Sequence, residues 1–176
     1  ATNGKNKLTT AENLHTKTLY NYDSMSRTTG ETTHIKHLNK SYTIHKGFTQ
    51  DNQLKSISFP DNKKISYTYN AIGQVTAIYY DTTKVMSYTY DSADGKVTGI
   101  RLGNNLELTY TYNNKDLVTN LSVNKTGSPL YNETLSYNSL GNIISYIHTN
   151  PLTSGSISDQ ISYSANDELA TIKTNR

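Results

Sequence analysis

Apolar and polar residues alternate with period two in short bursts along the chain, and each burst ends on an aromatic residue. In Lys64–Asn70 (KISYTYN) and Leu106–Tyr112 (LELTYTY) the leucines, isoleucine and tyrosines fall on one face of a strand. The aromatics that close these bursts are Tyr22, Phe48, Tyr69, Tyr90, Tyr112, Tyr137 and Tyr163, spaced by 26, 21, 21, 22, 25 and 26 residues. Four of them complete a Tyr-x-Tyr pair: Tyr20/Tyr22, Tyr67/Tyr69, Tyr88/Tyr90 and Tyr110/Tyr112. We call the closing aromatic the anchor of its unit.

A polar turn follows each anchor. It opens on Asp, Asn, Ser or Thr and often contains glycine, as at Gly73, Gly95 and Gly141. Six residues past most anchors stands an aliphatic residue (Leu54, Val75, Val118, Ile143, Leu169), and three further on another apolar one (Ile57, Ile78, Leu121, Tyr146, Ile172). The unit of Tyr90 runs one residue late, with Val97 and Ile100, which places an extra residue in the turn DSADGK. Each unit therefore predicts a strand, a tight turn and a second strand: one β-hairpin. A lone hairpin cannot bury its apolar face, so the hairpins must pair side by side in an array. The longer spacings point to extended connections in Asn124–Glu133 (NKTGSPLYNE) and His148–Gln160 (HTNPLTSGSISDQ), which carry Pro129 and Pro151. No stretch sustains helical periodicity, and Thr, Tyr, Asn and Gly are weak helix formers.

Composition agrees with a scaffold. Only 34% of the 176 residues are hydrophobic, so the core must be thin. Fifteen tyrosines, two phenylalanines and no tryptophan favour half-buried surfaces where a ring packs flat while its hydroxyl finds a partner. The charge of +3 is scattered, with no basic block to track a phosphate backbone, which argues against nucleic acid. No cysteine is available for disulfides or thiolate chemistry, and no apolar run reaches the ~20 residues of a membrane-spanning helix.

The units YTYNAIGQVTAI, YTYDSADGKVTGI, YNYDSMSRTTG and LSYNSLGNIISY resemble the YD repeat, also called the Rhs repeat, with its pattern Tyr-x-Tyr-Asp-x-x-Gly-Arg-Leu. The resemblance covers nearly the whole chain. It implies an all-β fold of tandem hairpins of about 21–26 residues, joined into a curved or spiral sheet around a hollow interior. In this family such shells enclose a C-terminal toxic polypeptide in bacterial Rhs and toxin-complex proteins. They also occur in bacterial wall-associated proteins and animal teneurins, and carbohydrate binding is associated with some members.

Departures from the pattern limit what carries over. Gln74, Lys96 and Asn142 replace the arginine after the turn, and Asn70, Asn113 and Asn138 replace the aspartate after the anchor. No DPxG-type segment closes the array, so neither autoproteolysis nor toxin activity transfers to any residue here. Both ends of the chain fall in mid-unit, and residues 1–176 read as one array cut from a longer repeat protein.

Sites with chemistry of their own are weak. His34 and His37 would face opposite sides of a strand and have no carboxylate or cysteine cluster beside them. Asp51, Asp81, Asp91, Asp94, Asp116, Glu133 and Asp167 read as turn or connection residues that bond nearby amides. No nucleophile elbow or phosphate loop occurs. The expectation is a non-enzymatic structural module with no catalytic, cofactor or metal residues, belonging to a secreted or surface protein of a bacterium, Gram-positive in style. Its expected partners are further repeats in the same chain or neighbouring copies joined by edge-strand pairing. Two alternatives accompany it: a self-assembling extracellular filament, and a surface that binds glycans through its tyrosines.

Overall fold

A computed structural model describes residues 5–150 and 155–175. The chain is all-β, with fifteen strands among the described residues and a single 3-10 turn at Lys36–Leu38. It forms two compact units, the first ending at Val85 and the second beginning at Met86.

The first unit contains β1 (Thr10–Glu12), β2 (Thr16–Tyr22), β3 (Thr28–Ile35), β4 (Lys40–Phe48), β5 (Leu54–Ser58), β6 (Lys64–Tyr69) and β7 (Val75–Tyr80). Each pairs antiparallel with the next in chain order. β8 (Thr83–Tyr90) contributes its residues from Met86 onward to the second unit. There it pairs with β9 (Val97–Leu102), followed by β10 (Leu106–Tyr112), β11 (Val118–Lys125), β12 (Ser128–Tyr137), β13 (Ile143–Asn150), β14 (Gly155–Tyr163) and β15 (Leu169–Asn175), again each antiparallel to the next.

The core is as thin as the composition requires. Ala77 is the only buried hydrophobic residue among those described, and no large side chain is fully enclosed. Many of the apolar residues are half-buried instead, because cross-strand neighbours on one face cover each other, while others such as Leu169 and Ile172 near the end of the chain are exposed. Register shows which residues share that face. Tyr69 lies opposite Val75, Tyr67 opposite Ile78 and Ile65 opposite Tyr80, while Ser66, Thr68 and Ala77 point to the other side. In the second unit Tyr110 faces Leu121, Leu108 faces Val123 and Leu135 faces Tyr146. The reverse face is lined by hydroxyls and amides. Thr32 bonds Thr43 at 2.9 Å, Thr109 bonds Ser122 at 2.5 Å and Asn120 reaches Asn132 at 3.1 Å.

Every anchor sits at a break in register. The ladder shifts between the anchor and the residue before it at Tyr22, Phe48, Tyr69, Tyr90, Tyr112, Tyr137 and Tyr163. Such a bulge adds local twist and re-aims the side chain beside it. The turn beyond is equally regular. The residue after the anchor donates its N–H to the carbonyl four residues on, as in Asn70 to Gln74 at 2.9 Å. Its side chain accepts two amides, so that Asn70 Oδ1 takes the N–H of Ile72 and of Gln74. Asp23, Asn113, Asn138 and Ser164 repeat both features. In the unit of Tyr90 the Asp91 N–H bonds Lys96, five residues on, so the extra residue expected from DSADGK is present in the turn.

The residue just before the carbonyl that closes each turn takes a left-handed conformation. Gly73, Gly95 and Gly141 have φ of 88°, 74° and 92°, and the matching places in other turns hold Ser26 (63°), Asn52 (65°), Asp116 (66°) and Asp167 (63°). The repeat thus demands a backbone angle, which glycine meets without strain and Asn or Asp meet at modest cost. Gly73→Ala is expected to cost about 1 kcal/mol and Gly73→Asn clearly less. A Cβ at position 73 would also press on Gln53 Nε2 at 2.7 Å, the movable end of a flexible side chain. Chemical denaturation of the two variants decides it, and equal stabilities would contradict the angle requirement.

The two expected connections are corrected. Asn124–Glu133 is a tight hairpin in which Thr126 and Gly127 turn with φ of 51° and 83°, and Pro129 lies inside β12. The register shifts at this point, with Val123 opposite Tyr131 but Asn124 opposite Pro129. A bulge tolerates a residue that cannot donate to the ladder. Likewise His148–Asn150 and Gly155–Gln160 are strand residues of β13 and β14, and Pro151 lies outside the described residues.

Candidate functional site

The expected repeat residues build a clamp between neighbouring strands. Tyr69 Oη donates to the carbonyl of Leu54, the first residue of β5, at 2.6 Å. Tyr112 does the same to Val97 at the start of β9 (2.7 Å), Tyr137 to Val118 of β11 (2.6 Å) and Tyr163 to Ile143 of β13 (3.0 Å). Tyr22 reaches Leu8, just ahead of β1, at 2.7 Å. The bulge aims each ring back across the paired strand, where the hydroxyl takes up a carbonyl at the mouth of the preceding hairpin. Burial raises the hydroxyl pKa of Tyr69, Tyr90 and Tyr137, which keeps these groups as donors at all ordinary pH.

Phe48 has no hydroxyl to donate. The Arg27 guanidinium lies over its ring at 4.5 Å from the centroid and holds the Asn52 side chain at 3.0 Å. The first members of the pairs behave differently from the anchors. Tyr88 stacks beside Tyr90 with centroids 6.3 Å apart and donates to Met86 Sδ, while Tyr20, Tyr67 and Tyr110 extend the same face of their strands.

A second ladder, missed in the sequence, runs along the turns. At four turns the residue after the left-handed position reaches the next turn. Arg27 bonds Asn52, Gln53 donates to the Gly73 carbonyl at 3.1 Å, Lys96 pairs with Asp116 at 2.6 Å and Asn142 donates to Asp167. Lys96 also pairs with Asp94 and lies over the Tyr112 ring at 5.8 Å. These two carboxylates, Asp116 foremost, push the Lys96 pKa up. The sequence shows only that arginine is replaced here. Lys96 and Asn142 keep a donor long enough to cross to the neighbouring turn, whereas Leu117 at the same place has none and Lys115 reaches the Ser139 carbonyl in its stead.

Asp81 shows what such turn carboxylates contribute. It accepts from Lys63 Nζ and from the Lys64 amide, both at 2.9 Å, and the Lys63 hydrogen bond is the main cause of its lowered pKa. A lowered folded-state pKa gives stability that is complete above the unfolded carboxylate value of about 4 and is lost as pH falls through the folded value. Asp81→Asn is therefore expected to flatten the stability–pH profile of the chain below about pH 4. Urea midpoints measured from pH 2 to 6 test this, and a mutant profile parallel to the wild type would refute it.

One cluster of titratable groups stands apart from the ladders. It occupies the anchor face of β12, β13 and β14 and comprises Tyr131, Glu133, Tyr146, His148 and Asp159. Glu133 lies opposite His148 and Tyr146 opposite Asp159. Tyr131 Oη donates to Glu133 Oε2 at 2.8 Å and lies 3.2 Å from Tyr146 Oη. Burial, then the bonds to Tyr146 and Glu133, push the Tyr131 pKa well above the usual phenol range. The His148 ring stacks on Tyr131 with centroids 5.9 Å apart and tilts against Tyr146 at 5.8 Å. Glu133 is thus a strand residue, contrary to the expectation that placed it in a connection.

The histidines singled out in the sequence are not part of this cluster. His34 lies in β3 with Nδ1 3.1 Å from Ser41 Oγ, and His37 lies in the 3-10 turn. Among the described residues no group of three His, Asp or Glu side chains is placed to hold a metal ion, and no helix is long and apolar enough to cross a membrane.

The fold and its clamps define a class of protein: antiparallel β-hairpins in tandem, in which five anchor tyrosines each tie their strand to a carbonyl of the preceding one. No protein-family model matches the chain, and no characterised sequence does. Solved structures of Tc toxin chains do match it. Against the crystal structure of TcdB2-TccC3-Cdc42 the TM-score is 0.76 at 13% identity, over 94% of this chain and 9% of that one. TcdB2-TccC3 without its hypervariable C-terminal region gives 0.74 at 13%, over 94% and 9%. The Photorhabdus luminescens Tc holotoxin pore gives 0.66 at 11%, over 96% and 11%. The chain spans about a tenth of the length of these chains, and at such identities the likeness is one of fold.

Proposed function

We propose that the chain is a run of YD/Rhs-type repeats that serves as a non-enzymatic wall or stalk segment of a secreted or surface-exposed bacterial protein. Residues 1–176 form one array within it, joined to further repeats, and in the intact protein the wall encloses a polypeptide. The observation that carries this reading is the recurring clamp. Five anchor hydroxyls are each committed to a backbone carbonyl of the neighbouring hairpin, and that commitment gives the tyrosines a load to bear. The fold shared with Tc toxin chains supports the same reading.

Cryo-electron microscopy of the intact gene product tests it. These strands running on into neighbouring repeats as one wall is the expected result. Strands of separate copies joined end to end in a fibre, or strands packed around a small-molecule pocket, would overturn it.

A further inference from the structure

The phenols of Tyr131 in β12 and Tyr146 in β13 meet at their hydroxyls, with Oη atoms 3.2 Å apart in a long hydrogen bond. Tyr131 spends its one proton on Glu133 Oε2 at 2.8 Å, so the proton between the two rings comes from Tyr146. A hydrogen-bonded chain thus runs from the Tyr146 hydroxyl through Tyr131 to a carboxylate. The anchors on the flanking strands are differently engaged: Tyr137 and Tyr163 commit their hydroxyls to the carbonyls of Val118 and Ile143. Tyr88 and Tyr90 also lie close, with ring centroids 6.3 Å apart, but Tyr88 turns its hydroxyl to Met86 Sδ. Tyr131 and Tyr146 are both half-buried, covered enough to hold this geometry and open enough to lose an electron to a reagent at the surface.

Two phenols in this arrangement resemble the product of their own oxidation, since the hydroxyls of an ortho-linked biphenol are hydrogen-bonded neighbours. The ortho carbons flank the hydroxyl-bearing ones, so rings that meet at their hydroxyls present these carbons to each other after small rotations of the side chains. We propose that Tyr131 and Tyr146 are a site of oxidative cross-linking, joined as dityrosine by hydrogen peroxide and a haem peroxidase, with Glu133 as proton acceptor. Each phenol gives up one electron and its hydroxyl proton, and the Tyr131 proton passes to Glu133. Burial keeps the Tyr131 hydroxyl protonated at ordinary pH, so its electron leaves together with that proton. The two phenoxyl radicals then form one carbon–carbon bond between ortho positions. The hydrogens on those two carbons move to the oxygens as the rings regain aromaticity. The two electrons and two protons released reduce one hydrogen peroxide to two waters. The link fastens β12 to β13 in a chain that has no cysteine for a disulfide. It stands independently of the wall reading, because it uses no anchor tyrosine and no turn residue.

Treatment of the protein with a haem peroxidase and limiting hydrogen peroxide tests the proposal. The expected product is a monomer that shows dityrosine fluorescence and is lighter than the untreated chain by two hydrogen atoms. A glutamyl-specific protease cuts after Glu133 and so parts Tyr131 from Tyr146. Mass spectrometry of the digest is expected to find residues 108–133 joined to residues 134–168 through these two rings. Tyr131→Phe and Tyr146→Phe are each expected to remove the fluorescence of the monomer, and Tyr88→Phe to leave it unchanged. Glu133→Gln is expected to slow its appearance at least about tenfold, less than a positioned base usually contributes because water can take the proton in its place. Circular dichroism checks that each variant folds, and the two phenylalanine variants decide the case should Glu133→Gln unfold. Dityrosine found only between copies, a link mapped to other tyrosines, or undiminished fluorescence in either phenylalanine variant would overturn the site. An unchanged rate in Glu133→Gln would overturn the role of Glu133 as proton acceptor.

Discussion

Replacing Tyr112 with alanine is expected to destabilise the second unit by about 2–4 kcal/mol, toward the lower end of large-aromatic truncations because the ring is half-buried. Tyr112→Phe is expected to cost about 1 kcal/mol, the usual net value of one hydrogen bond. The two numbers separate two jobs. The ring covers apolar neighbours on its face and lies beneath Lys96, while the hydroxyl ties β10 to the Val97 carbonyl of β9. Phe48 shows that the fold accommodates an anchor without a hydroxyl, there with a guanidinium over its ring. Urea unfolding of both variants provides the measurement. A phenylalanine variant as stable as wild type would mean that the clamp contributes nothing, and one as unstable as the alanine variant would mean that ring packing does not matter.

The size of that effect follows from the architecture. In a tandem array each hairpin is stabilised by its neighbours in chain order, so stability divides into intrinsic and interface terms. Here the interface terms are few and identifiable: a strand ladder, a tyrosine clamp at five of the anchors, and turn-to-turn bridges. Among the described residues no large buried side chain stands behind them to compensate. Loss of one clamp should therefore be felt over a whole hairpin pair.

The same economy explains what could be read from the sequence. The anchors and their period were legible because every unit needs an aromatic at one register break, and the extra residue at Asp91 was legible as a phase slip. The left-handed position was only partly legible. Gly73, Gly95 and Gly141 signal it, whereas Ser26, Asn52, Asp116 and Asp167 adopt the same angle without looking special. Pro129 misled because proline usually ends a strand, and only the register shift at Val123/Asn124 shows how β12 admits it. The cluster around His148 was not legible, since Glu133 meets His148 and Tyr146 meets Asp159 only through cross-strand register. Alternation along one strand, such as Tyr131-x-Glu133 or Tyr146-x-His148, gives the shared face but not the partner.

The reverse face carries the second large effect, at Gly99. This residue is buried opposite both Thr89 and Thr109, and a Cβ built there would overlap Thr89 Oγ1. The matching residue of the first unit is Ala77, opposite Thr68, whose hydroxyl turns aside to Thr76 at 2.9 Å. One methyl is therefore accommodated once the threonine rotates, and Gly99→Ala should be mild. Valine adds two more carbons in the same space. Strand propensity favours valine over glycine by up to about 1 kcal/mol, but overpacking costs about 1–3 kcal/mol, so the steric term wins. Gly99→Val is expected to destabilise the second unit by about 1–2 kcal/mol on that balance. Adding Thr89→Ala removes the obstructing hydroxyl and should recover most of the loss, with an interaction free energy opposite in sign to the single-site cost. Strictly additive effects of the two substitutions would place the strain elsewhere than at Thr89.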